Sequence, residues 1–88
     1  MATFGPIAVG ESSISVANAG NRHLTLVNPS PYPVYLMYTP QGVTPLRTAY
    51  VGHGLRLNGN CCEYKTDSPG SWTAISAYAG GQISGDAE

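Results

Sequence analysis

The side chains that could do chemistry are few, and their spacing does not suit it. Cys61 and Cys62 are adjacent, and neighbours on a strand point to opposite faces. The chain lacks the even, spaced cysteine framework of secreted mini-proteins. The pair therefore reads as two free thiols made in a reducing compartment. Zinc sites draw on Cys-x2–4-Cys or His-x3–5-His spacing, which His23 and His53 do not offer. No Gly-x-Ser-x-Gly elbow occurs. The five acids, Glu11, Glu63, Asp67, Asp86 and Glu88, are scattered. Lys65, the sole lysine, follows no glycine-rich phosphate loop. The sequence thus predicts no catalytic residue, no metal site and no cofactor, and a protein that is not an enzyme.

Composition narrows the partners. With 88 residues the chain is one domain, and only 10% of it is charged, against about 25% in ordinary globular domains. A net charge of −1 and four Lys plus Arg give no basic field for phosphates, so no nucleic acid is expected. No apolar run approaches the ~18 residues that span a bilayer, and Met1–Gly10 lacks a basic region followed by a long apolar core. A soluble protein with no membrane partner, made in a cytoplasm, is the expectation. In so short a chain, burial barely offsets ordering entropy. Association with like copies or a larger body would supply the missing burial.

Eleven Gly and seven Pro break the chain closely, leaving few windows long enough for a helix. Between them lie short stretches rich in Val, Ile, Thr and Tyr, which favour a pleated surface. Strands are expected around Ser13–Ala17, His23–Asn28, Val34–Tyr38, Leu55–Leu57, Asn60–Lys65 and Trp72–Tyr78. Short further strands are expected near Thr48–Val51 and Gln82–Asp86. Val34–Tyr38, apolar on both faces, reads as central or as covered by a partner. Pro45 predicts an irregular loop before Thr48. Asn58-Gly59 is the strongest hairpin signal. The fold class is all-β: a small antiparallel β-sandwich or barrel of six to eight short strands. Residues 1–12 read as an extended N-terminal arm and 13–88 as the single sandwich domain.

Six tyrosines and one tryptophan are many for this length. Because Tyr35 and Tyr38 fall on opposite faces of their strand, one of them should point outward or into a partner. Exposed aromatics and arginines are the residue types enriched at interfaces, and Arg22, Tyr35, Tyr38, Arg47 and Tyr50 are the candidate contacts. A bland role for Arg22, capping carbonyls of the adjacent turn, stands beside this. Trp72 and Tyr78 could share a sugar-binding face, although Ala74 and Ser76 between them have the spacing of core.

The pattern Asn21-Arg22-x-Leu24-x-Leu26-x-Asn28-x-Ser30, then Val34-Tyr35-Leu36, Gly54-Leu55, Trp72-Thr73-Ala74-Ile75-Ser76-Ala77 and the tail Gly81–Glu88, resembles small structural proteins of tailed bacteriophages. It covers about two thirds of the chain, from Asn21 onward. Met37 stands where that pattern usually has glycine, and the last strand is shorter and more polar than usual. The resemblance implies a capsid decoration or cement protein on the virion surface, with the major capsid protein as partner. It implies a homo-oligomer, a trimer suiting local three-fold axes, with the arm reaching over a neighbour. A head–tail connector or tail accessory subunit and a carbohydrate-binding adhesion module stand as alternatives.

Overall fold

The breaker-bounded stretches form eight strands in the computed structural model, which describes residues 2–59 and 63–88. They are β1 (Ala2–Val9), β2 (Ile14–Ala17), β3 (Leu24–Val27), β4 (Val34–Thr39), β5 (Leu55–Leu57), β6 (Glu63–Thr66), β7 (Ser71–Ser76) and β8 (Gly81–Ala87). Every pairing is antiparallel. The first sheet runs β1-β8-β3-β6 and the second β2-β7-β4-β5. The pairs β1·β8, β2·β7, β3·β6 and β4·β5 nest like one long hairpin whose successive pairs go alternately to the two sheets. That is the jelly-roll order of an eight-stranded double sheet. The chain is thus the antiparallel β-sandwich its sequence predicts.

The period-2 alternation decides which side chains enter the core. Leu24 and Leu26 of β3, Val34 and Leu36 of β4, Ala74 of β7 and Ile83 of β8 are buried between the sheets. Each large aliphatic side chain placed there contributes roughly 1.5–3 kcal/mol over exposure. Trp72 ties the sheets together. Its ring lies 5.1 Å from Tyr38 in its own sheet and 5.6 Å from Tyr64 in the other. Its Nε1 has no hydrogen-bond partner among the described residues.

Four sequence expectations are corrected. The supposed arm is β1, which pairs along β8 from Ala2↔Ala87 to Val9↔Gly81. It places Val9 in the core, with Phe4 and Ile7 packed against it. Gly5-Pro6 reads as a breaker, but the register shifts between Phe4 and Ile7. β1 is also an edge strand, and an edge bulge is where proline is tolerated in a sheet. The short polar tail, in turn, is seven-residue β8, paired on both sides in its sheet. Neighbours on two edges outweigh its weak propensity. No strand forms near Thr48–Val51, which belongs to an irregular connection over 40–54. Finally, Asn58-Gly59 does not close a hairpin, because β5 and β6 lie in different sheets. The chain crosses between sheets there. Asn60, Cys61 and Cys62, on which the expected return and the thiol pair fall, lie outside the described residues.

Val34–Thr39 is central in its sheet, between β7 and β5, in agreement with its two-sided apolar pattern. The four edge strands are blunted against strand addition by three devices. β1 carries the bulge. β2 and β5 are only four and three residues long. β6 exposes Glu63 and Lys65. The edges are poor docking sites, so the faces and the ends are the surfaces available for recognition.

Candidate functional site

The connection over 40–54 is the one long excursion of the chain. It reaches the length, about 12–15 residues, beyond which unstructured loops are uncommon and mostly functional. It does not extend into solvent. Trp72 and Ala74 of β7 point inward, so Thr73 points to the outer face of the second sheet. There the Thr73 hydroxyl donates to the Arg47 carbonyl at 2.8 Å. The Arg47 backbone N–H donates to Thr39 Oγ1 at 2.8 Å. The Ala49 N–H donates to Ser13 Oγ at 2.9 Å, and Ala49 itself is buried. Three hydroxyl side chains thus bind the loop down across the outer face. At its far end Gly54 turns back with a positive φ of 79° and sits against the Leu36 carbonyl, where a Cβ would collide.

The pinned loop displays apolar side chains. Val43, Leu46, Tyr50 and Val51 are all exposed, Tyr50 by 59%. They are four of the six exposed large hydrophobics among the described residues. Tyr50 packs edge-on to His53, with ring centroids 6.4 Å apart. The uncovered part of the same face carries Tyr35, Met37 and Ile75, each half-buried. Arg56, opposite Tyr35 in the β4·β5 ladder, holds its guanidinium carbon 5.9 Å from the Tyr35 ring centre, within reach of a cation–π attraction.

Charge is distributed unevenly. The second sheet and its loop carry Arg47 and Arg56 and no carboxylate. Glu63, Asp67, Asp86 and Glu88 lie on, or directly after, β6 and β8 of the first sheet, and Glu11 is in the β1–β2 connection. One side of the molecule is therefore apolar with two cations, and the other is polar and acidic.

Of the candidate contacts, Tyr35, Arg47 and Tyr50 are brought together on this face. Tyr38 is not among them. It turns inward against Trp72, and its hydroxyl accepts from the Gly70 N–H at 3.0 Å. Arg22 lies in the β2–β3 connection, where its backbone N–H donates to the Glu88 carbonyl. Sequence reasoning missed Val43, Leu46 and Val51. They sit in a stretch without periodicity, where an apolar residue cannot be assigned to core or surface. The proposed sugar face of Trp72 and Tyr78 does not form either, since Trp72 is buried and Tyr78 is exposed beyond the end of its strand.

Two shallow grooves, of about 270 and 260 Å³, open on the surface, one between β1 and β2 beside Phe4, Ile7, Val16 and Ala17 and one on the first sheet beside Val27 and Ser84. Both fall below the 300–1,000 Å³ usual for small-molecule sites. Among the described residues no group of three or more His, Cys, Asp or Glu is placed to hold a metal ion. His23 Nδ1 and Asp67 Oδ1 meet at 2.7 Å, with both side chains largely exposed; such surface pairs contribute little. Comparison with known proteins finds no family model, no curated protein and no solved structure that matches the chain.

Proposed function

We propose that this protein is a non-enzymatic structural component of a phage virion, a decoration or cement protein that docks on the outer surface of the head through its second sheet. The observation that carries this reading is the 40–54 loop, bound down by three hydroxyl groups while holding four large apolar side chains in water. Contiguous exposed apolar surface of this kind marks protein interfaces. Holding the loop in place beforehand lowers the ordering cost of docking. The likeness of Asn21–Ser30 and Trp72–Ala77 to phage structural proteins supplies the identity of the larger body. Jelly rolls occur in capsid proteins, and also in lectins and enzymes-by-fold such as cupins, so the fold alone carries no weight in the choice.

The partner surface this face suits is apolar at its centre with carboxylates at its rim, facing Arg47 and Arg56. Many copies, each weakly held, would cover a shell through shared contacts with neighbouring subunits. Purified protein should co-sediment with mature heads and raise the temperature at which they release DNA. Recovery of the protein only with isolated tails would contradict the reading.

A further inference from the structure

We propose that Tyr32 and Tyr78 form a stacking platform for a neutral sugar ring, at one end of the sandwich and separate from the docking face. The registers Val34↔Ser76, Val34↔Leu57 and Val9↔Gly81 gather the β1–β2, β3–β4 and β7–β8 connections and the Asn58-Gly59 turn at this end. Two exposed tyrosines meet there. Their ring centroids are 5.0 Å apart, with planes inclined by 31°. Tyr32 is 38% and Tyr78 54% exposed. They are the two large exposed hydrophobics that the 40–54 loop does not account for.

Both are held in place by buried polar side chains. The Tyr32 carbonyl accepts from Asn28 Nδ2 at 2.7 Å, and the Ser30 hydroxyl donates to Asn28 Oδ1 at 2.7 Å and so orients that amide. Asn28 and Ser30 are themselves 1% and 3% exposed. The Tyr78 N–H donates to Ser76 Oγ at 3.2 Å, and that hydroxyl donates to the Pro33 carbonyl at 3.1 Å. Ser76 is fully buried. Gly80 lies flat against Tyr32, where a Cβ would come within 2.7 Å of the ring. Three buried polar side chains thus fix the backbone at the two tyrosines, Gly80 leaves room for the Tyr32 ring, and both side chains stay partly in water. A core role would have buried them.

The chemistry of the surroundings selects the ligand. Residues 28–33, 58–59 and 77–80 include no charged side chain, and the β1–β2 connection brings the single carboxylate Glu11, so among the described residues of these connections no cation stands ready for an anionic ligand. An aromatic face attracts a flat apolar surface with slightly positive hydrogens, which is what the C–H face of a pyranose offers. The tyrosine hydroxyls and the exposed Asn58 and Gln82 provide donors and acceptors for the sugar hydroxyls at the rim. A virion surface protein with such an end would hold the particle weakly to a glycan-coated surface. The platform itself does not depend on the head-docking reading.

Saturation-transfer NMR on the full chain with maltohexaose, cellohexaose and chitohexaose, each at millimolar concentration, tests this. Transfer to ring C–H protons of at least one oligosaccharide is expected. Tyr78→Ala should weaken it about tenfold or more, and Tyr78→Phe should keep most of it. Leu46→Ser, on the docking loop, should leave it unchanged. Amide spectra of each variant report that the fold is intact, and Tyr78→Ala remains informative if Tyr32→Ala unfolds. Absence of transfer from all three sugars would overturn the proposal, as would equal transfer in wild type and Tyr78→Ala. So would a proline-rich peptide that shifts the Tyr78 resonances where no sugar does.

Discussion

Asn28 uses its whole amide. Nδ2 donates to the carbonyls of Tyr32 and Leu57, and Oδ1 accepts from the backbone N–H and hydroxyl of Ser30. One buried side chain therefore ties the β3–β4 connection to the end of β5, across the second sheet. Its removal would leave several buried polar groups unpaired, each costing about 1–3 kcal/mol. Asn28→Ala should destabilise the protein by about 3 kcal/mol or more in urea unfolding, a large part of the stability of a small domain. Trp72 gives the opposite expectation. Because its Nε1 has no partner among the described residues, Trp72→Phe should sacrifice packing but no hydrogen bond. It should cost less than half of Trp72→Ala, for which about 3–5 kcal/mol is usual. Near-equal losses would show that the indole N–H has a partner. At this scale the sequence was partly informative. Asn28 is the polar residue that continues the inward alternation of Leu24 and Leu26, directly before Pro29, whereas Ser30, between Pro29 and Pro31, lies past the expected strand. Their partners could not be read, since Leu57 is brought near only by the fold.

At the scale of elements, two segments change meaning between sequence and structure. β1 looks like a free arm because Gly5-Pro6 interrupts it, and only its place on a sheet edge makes the interruption harmless. Deletion of residues 2–9 should therefore unfold the protein, seen as loss of the β-sheet circular-dichroism signal. A folded, stable truncation would return this segment to the status of an arm. The 40–54 loop has no periodicity to read, and hydroxyl groups from β4, β7 and the entry to β2 decide where it lies. Thr73→Val removes the donor that holds the Arg47 carbonyl. It should cost about 1 kcal/mol and speed amide exchange at Arg47 and Ala49 while sparing β3 and β8. Unchanged exchange would mean the loop is held by its apolar contacts instead. Of the interior strands, β3 and β7 were legible from alternation and β4 from its two-sided apolar pattern, but β8 was not; Asn58-Gly59 misled because a turn signal records local geometry and not which sheet receives the next strand.

The whole molecule is a slab of 30 × 27 × 16 Å. One broad face is on the order of 800 Å², about what one partner contributes to a standard interface. The face with the loop is apolar and lacks acids, and the opposite sheet carries the carboxylates. In the proposed docking this division would turn the second sheet toward the lattice and the first toward solvent. The sugar platform, at an end of the slab, stays accessible in that arrangement. Docking should also weaken moderately as salt rises, since two exposed arginines contribute but do not dominate. Strong salt dependence would point to an electrostatic interface of a different kind.

The most direct test of this account is co-sedimentation of a Leu46→Ser, Tyr50→Ser double variant with purified mature heads, beside wild type. Both side chains are exposed, so unfolding midpoints should agree within a few degrees while the variant's retention on heads falls at least tenfold. Retention equal to wild type, with the fold intact, would contradict docking through the outer face of the second sheet.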